Sequence, residues 1–170
     1  LNGIGVQDTL PSSDVYTMAF SMRPLDLTGD FVMGVGAGSA FTGNSTFSTS
    51  QGLFWLQSDS GNFERRTSSG WSDIGGGTTL SLDTNYLVHV IANGSASAVT
   101  YTGGSVAAGT MDIYVNGSLL DDDVTVTTSG LSANAFRMYN VNLGNTGVDD
   151  ISLWNEAVAP VPEPSTYALL

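Results

Sequence analysis

Three observations in the sequence predict an all-β chain folded as an antiparallel two-sheet sandwich of jelly-roll type. Apolar side chains recur at every second position through about ten short runs, the spacing that sends alternate side chains to opposite faces of a strand. The pair Asn116-Gly117 separates two of these runs, and both central residues of a type I′ hairpin turn need positive φ. The run Tyr86 to Ala92, YLVHVIA, is apolar on both faces, which suits a central strand covered on both sides. No stretch carries a convincing helical period, and ten short antiparallel strands in one domain fit two packed sheets.

Each element follows from its own residues. In Val15 to Arg23, VYTMAFSMR, the side chains of Tyr16, Met18, Phe20 and Met22 share one face and Thr17, Ala19, Ser21 and Arg23 the other. Pro24 then ends the run, because it cannot donate to a sheet ladder. Further strands are expected at FVMGVGA from Phe31, GLFWLQ from Gly52, NFERRT from Asn62, YLVHVIA, and AVTYT from Ala98. The last four are TMDIYV from Thr110 with its NG turn, VTVTT from Val124, AFRMYNVNL from Ala135, and VDDISLW from Val148. The glycine-rich patches at 34–38, 75–77 and 103–104 precede no helix, so they read as turns or bulges and not as phosphate cradles.

At 170 residues the chain has the length of one domain and can bury about 70% of its unfolded surface. Four basic residues, Arg23, Arg65, Arg66 and Arg137, face sixteen acidic ones, for a net charge of −12 and no lysine. Nucleic acid and anionic membranes are poor partners for such a chain, since both need cationic contacts. Charged residues make up only 12%, about half the usual share, so Ser, Thr, Gly and Asn must carry much of the solubility, as on many secreted proteins. There is no cysteine and therefore no disulfide. No run approaches the ~18 apolar residues of a membrane helix, and the start at Leu1 without an apolar leader leads us to expect that an export signal has been removed or left out.

Three stretches in order, VYTMAFSMRP, TNYLVHVIANG with MDIYVNGSLL, and GVDDISLWNEAV, resemble the laminin-G/concanavalin-A-like jelly-roll domains of secreted bacterial proteins, over roughly residues 10 to 158. The chain's last ten residues, VPEPSTYALL, are similar to the start of the PEP-CTERM sorting signal. Pro162, Glu163, Pro164, Ser165 and Thr166 match its motif; only Tyr167, Ala168, Leu169 and Leu170 of the apolar helix follow, and the arginine-rich end is missing. Residues 1–158 are thus expected to form the sandwich and 159–170 an extended sorting tail. The resemblance implies export through the inner membrane of a Gram-negative bacterium, recognition by an exosortase, and delivery to the outer cell surface or the extracellular polymer.

No familiar catalytic arrangement is visible. A glycosidase needs two carboxylates about 5 to 10 Å apart, yet Glu64, Glu156 and Glu163 are the only glutamates and none lies in an alternating acidic run. His89 is the only histidine, no Gly-x-Ser-x-Gly elbow accompanies it, and it reads as a satisfied sheet-face residue. The sequence therefore predicts a protein that is not an enzyme. Strand alternation would place Asp149 inward beside Ile151 and Leu153, where a carboxylate needs a partner; calcium, with ligands from Asp149, Asp121 and Asp123, is one expectation and backbone N–H groups are another. Trp71, Trp55, Trp154 and Tyr101 are candidates for stacking on sugar rings, and Arg65-Arg66 reads as the rim of a cationic patch.

Two functions follow. The first is an exported surface or matrix structural protein, self-assembling into fibres through its sheet edges or through Tyr167, Leu169 and Leu170 of the tail. The second is a lectin-like module that binds extracellular polysaccharide; a glycoside hydrolase is the remote third. The expected partners are copies of the chain itself, extracellular polysaccharide and, during export, the exosortase.

Overall fold

The structure is a computed structural model that describes residues 6–38, 49–141 and 145–160. Among the described residues thirteen strands run in chain order: β1 (Val6–Ser13), β2 (Val15–Pro24), β3 (Asp30–Gly36), β4 (Gly52–Asp59), β5 (Asn62–Arg66), β6 (Trp71–Asp73), β7 (Tyr86–Asn93), β8 (Val99–Tyr101), β9 (Gly104–Val106), β10 (Thr110–Val115), β11 (Ser118–Thr125), β12 (Ala133–Val141) and β13 (Thr146–Trp154). They form a six-stranded antiparallel sheet, β1-β12-β3-β4-β5-β6, a five-stranded antiparallel sheet, β11-β10-β7-β2-β13, and the small β8-β9 hairpin. This is the two-sheet sandwich that the period of two predicts.

The core lies between the two large sheets. Tyr16, Met18, Phe20 and Met22 of β2 are all at most 2% exposed, and they meet Phe31, Met33 and Val35 of β3, Leu56 of β4 and Phe136 of β12. Each such side chain contributes about 1.5–3 kcal/mol on burial. The hydroxyl of buried Tyr16 donates to the Pro11 carbonyl, which satisfies it and ties β1 to the body. β7 occupies the centre of its sheet, between β10 and β2, as its two-sided apolar pattern requires. The Asn116-Gly117 turn joins β10 to β11 with φ of 50° and 75°, and the Asn116 side chain accepts the Leu87 N–H at 2.8 Å.

The chain departs from simple alternation in three places. β1, β6 and β9 were not expected: β6 and β9 are three residues long, too short for a period to show, and β1 is interrupted by Pro11 and a register shift between Thr9 and Ser13. The acidic run Asp121 to Asp123 lies inside β11, whose pairing with β10 carries two register shifts. β13 holds one extra residue between the Asp149–Ser21 and Ser152–Ala19 pairs, and Asp150 takes φ of 54°. That bulge resets the alternation. Ile151 and Leu153 pack on the core, as does Val148, but Asp149 is exposed and shares the outer face with Ser21. The inward Asp149 of the sequence reading is therefore corrected.

Candidate functional site

The outer face of the five-stranded sheet carries a cleft of about 220 Å³ lined by Ala19, Leu87, His89, Tyr114, Gly117, Ser152, Trp154 and the segment Val158–Pro160. Its shape follows from register. Ser152, Ala19, His89 and Tyr114 form one row across β13, β2, β7 and β10, and Trp154 stands two residues along from Ser152 on the same face. Small side chains at Ala19 and Ser152 make the floor, while the rings of His89, Tyr114 and Trp154 make the walls. The His89 and Trp154 rings stack with centroids 6.5 Å apart and 29° between planes, and Tyr114 meets His89 edge-on at 6.2 Å.

Residues Asn155–Pro160 turn back across this face as a strap. The Thr17 hydroxyl donates to the Glu156 carbonyl at 2.7 Å and accepts the Val158 N–H at 2.9 Å. His89 Nε2 lies 2.9 Å from the Val158 carbonyl oxygen, so the ring donates its proton there. His89 is 6% exposed; burial lowers its pKa, partly offset by the Val158 carbonyl, which favours a neutral ring near pH 7. It is the satisfied sheet-face histidine that the sequence suggested.

Tyr114 ends a hydrogen-bonded chain of three side chains, with Tyr101 and Asp112 behind it. The β8-β9 hairpin places Tyr101 over β10, its ring against Gly104, where an added Cβ would sit 2.5 Å from the Tyr101 hydroxyl. That hydroxyl donates to Asp112 Oδ2 at 2.9 Å and lies 2.7 Å from the Tyr114 hydroxyl. Asp112, 1% exposed, accepts the Asp123 N–H on its other oxygen at 2.9 Å. Burial raises the pKa of Asp112 above the usual carboxylate value, and it raises that of Tyr101 as well.

The structure divides the residues singled out from the sequence. Trp154 lines the cleft and Tyr101 supports it from behind. Trp55 and Trp71 lie on the outer face of the opposite, six-stranded sheet, in a row that also holds Arg137, Gly34 and Arg66. Trp55 is fully buried against Gly34 and edge-on to Tyr139 at 6.4 Å, so it is a packing residue and offers no stacking face. Arg66 lies over the Trp71 ring at 5.3 Å and Arg137 over the Tyr139 ring at 4.5 Å. Arg65 does not share a patch with Arg66. It turns between the sheets, where its Nε donates to Asp121 Oδ2 at 2.8 Å.

Asp121, Asp123 and Asp149 do not converge. Asp121 is held by Arg65 and by the Gly75 N–H, Asp123 accepts from the Ala107 N–H and the Thr110 hydroxyl, and Asp149 faces outward on β13. Among the described residues no group of three His, Cys, Asp or Glu side chains is placed to hold a metal. Pro162 to Thr166 of the sorting motif, and Tyr167, Leu169 and Leu170, lie outside the described residues. The sequence reading did not single out Tyr114, Asp112 or Ser152. Their meeting depends on pairing between β7 and β10 across an intervening hairpin and on the bulge in β13, for which one sequence offers no local signal.

No family model and no curated protein matches the chain. Solved structures do. A sialidase aligns with a TM-score of 0.62 at 8% identity, over 88% of this chain and 14% of that one. A native heptameric SAP-like pentraxin from Limulus polyphemus aligns with 0.56 at 14% identity, over 93% and 72%. An alginate lyase, solved with an alginate tetrasaccharide, aligns with 0.53 at 13% identity, over 90% and 76%. The chain thus spans only a small part of the sialidase's length, and identities this low show the fold alone. Because sialidases and an alginate lyase share that fold, the expectation that this chain is not an enzyme is corrected: the lack of a familiar motif does not separate it from enzymatic neighbours. The fold itself is the jelly-roll sandwich.

Proposed function

We propose that this chain is an exported saccharide-binding sandwich that takes one sugar residue of an extracellular polysaccharide into the cleft between His89, Tyr114 and Trp154. The observation that carries the reading is the cleft's build: aromatic walls beside a small-residue floor, with the hydroxyls of Ser152 and Tyr114 among its lining residues. An apolar wall matches the C–H face of a pyranose and hydroxyls match its rim. At about 220 Å³ the cleft is smaller than the ~300 Å³ at which pockets for drug-sized ligands begin, so it suits a single ring better than a longer segment. The alginate lyase shows that a sandwich of this fold accommodates a saccharide. Titration of immobilised glycans with the protein and with Trp154→Ala tests the reading: binding by the first and loss of at least about tenfold in the second supports it, and silence across a broad array ends it.

Self-assembly through sheet edges has less support. β13 is blunted by the Asp149-Asp150 bulge and β1 carries Pro11, two devices that discourage edge pairing. Export, exosortase recognition and delivery to the surface of a Gram-negative bacterium belong to the same proposal and rest on Pro162 to Thr166. Replacing Pro162, Glu163 and Pro164 by alanine in the full-length precursor should leave the protein in the membrane fraction; unchanged release to the surface would count against the sorting role. A calcium requirement through Asp149, Asp121 or Asp123 is tested by melting, and equal melting temperatures in calcium and in chelator would remove it.

A further inference from the structure

The Tyr114 and His89 walls of the cleft have a definite hydrogen-bond polarity, which follows from counting protons; among the other lining residues the Ser152 hydroxyl and the Trp154 indole N–H keep protons of their own. Tyr101 has one hydroxyl proton and gives it to Asp112 Oδ2 at 2.9 Å. The 2.7 Å bond between the Tyr101 and Tyr114 hydroxyls must then take its proton from Tyr114. Tyr114, which lines the cleft, is left with lone pairs and no proton to offer a ligand. The carboxylate of Asp112 is fixed in this orientation, because its other oxygen accepts the Asp123 N–H at 2.9 Å.

His89 adds to the same bias. Its Nε2 proton goes to the Val158 carbonyl at 2.9 Å, so the neutral ring has only the acceptor Nδ1 left. Among the described residues no cation lines the cleft. Arg23, on the same sheet face, is paired with Asp83 at 3.0 Å, Arg65 is paired with Asp121 between the sheets, and Arg66 and Arg137 lie on the opposite sheet. Asp112 stands behind Tyr114 in a chain of net charge −12.

We infer that the cleft selects neutral sugars, which present hydroxyl donors to Tyr114, and rejects sugars carrying a carboxylate, such as uronates and sialates. This inference rests on the cleft being the saccharide site. A neutral ring gives the Tyr114 oxygen a donor; a carboxylate at that wall brings acceptors to the Tyr114 oxygen and to His89 Nδ1, and a negative charge toward Asp112. Leaving such groups unmatched on binding should cost on the order of tenfold to a hundredfold in affinity. Asp112 and Tyr101 act here as positioning residues, since they set the direction of the Tyr114 proton.

A glycan array with neutral and acidic members, probed with the purified chain and four variants, tests this. The expected result is binding to neutral glycans that Trp154→Ala abolishes and Tyr114→Phe weakens, with uronate and sialate glycans at least about tenfold poorer. Asp112→Asn supplies the proton-polarity readout. Its amide N–H can give Tyr101 a proton, which frees Tyr101 to donate to Tyr114 and Tyr114 to donate into the cleft, so discrimination against acidic glycans should shrink. If Asp112→Asn does not fold, the ratio of neutral to acidic binding in Tyr114→Phe serves instead, since that variant removes the acceptor without touching Asp112. Acidic glycans preferred by the parent chain and lost in Trp154→Ala would overturn the selectivity and keep the cleft as the site. Acidic glycans lost in Arg66→Gln and not in Trp154→Ala would overturn both, as would a silent array.

Discussion

The Arg65–Asp121 pair links the two sheets, and its removal should be among the more damaging polar substitutions in the molecule. Arg65 on β5 of the six-stranded sheet donates its Nε to Asp121 on β11 of the five-stranded sheet at 2.8 Å, with side chains 14% and 11% exposed. Asp121 also accepts the Gly75 N–H at 3.0 Å. A surface pair contributes about 0–1 kcal/mol, whereas removing one partner of a buried pair costs about 3–5 kcal/mol because a charge is left without compensation. This pair lies near the buried limit, but Arg65 Nη1 is buried without a hydrogen-bond partner, so the pair is less than fully satisfied. We therefore expect about 2–3 kcal/mol for Arg65→Met and about the same for Asp121→Asn. In a domain of this length that lowers the melting temperature by roughly 5–10 °C. Urea unfolding followed by tryptophan fluorescence gives the free energies, and the double variant completes the cycle. The double should be destabilised by less than the sum of the singles by about 1–2 kcal/mol, because each single already loses the shared interaction. Singles within about 0.5 kcal/mol of the parent would refute the assignment of this pair as a tie between the sheets.

Three further outcomes follow from particular contacts. Gly34→Ala should destabilise by about 1–3 kcal/mol in the same assay, because a Cβ there would sit 2.4 Å from the Phe54 carbonyl oxygen and 2.6 Å from Trp55 Cε3. Asn116→Ala should cost about 1–2 kcal/mol, since it removes the acceptor for the Leu87 N–H and places a residue with a higher penalty at φ of 50°. His89 is harder to protonate in the folded chain than at its ordinary value of 6.5, so the unfolded chain binds more protons below that pH and stability falls as the pH drops through it. Asp112, with a raised pKa, acts in the opposite direction, since the folded chain holds its proton more readily than the unfolded chain does. Melting curves at about pH 7.5 and about pH 5.5 should show a loss in the parent that His89→Gln reduces; equal losses in the two would remove His89 as the cause.

The legible part of this molecule was the part written in local periods. The alternation in Val15 to Arg23, the two-sided apolar run at Tyr86 to Ala92 and the Asn116-Gly117 turn each fix the role of their own segment, and together they imply two packed sheets. What escaped was decided by single-residue insertions and by long-range pairing. One extra residue at Asp150 turns Asp149 from a core-facing carboxylate into a surface one, and strand alternation contains nothing that announces it, because an Asp with positive φ reads the same as an extended one. Trp55 illustrates the converse: its alternation places it on an outer face, yet Gly34 and Tyr139 enclose it, so facing out of the sandwich is not the same as meeting solvent. The cleft combines both effects. Trp154 reaches it only because the bulge returns Ser152 to the outer face beside Ala19. His89 and Tyr114 meet there only because β10 pairs with β7 after the β8-β9 hairpin has been set aside. The same hairpin delivers Tyr101 to Asp112 and so fixes the direction of a proton in the cleft wall. The chemistry of the candidate site is therefore a product of topology acting on ordinary strand residues. That is why a search for catalytic motifs passes over it and a count of donors and acceptors in the folded chain finds it.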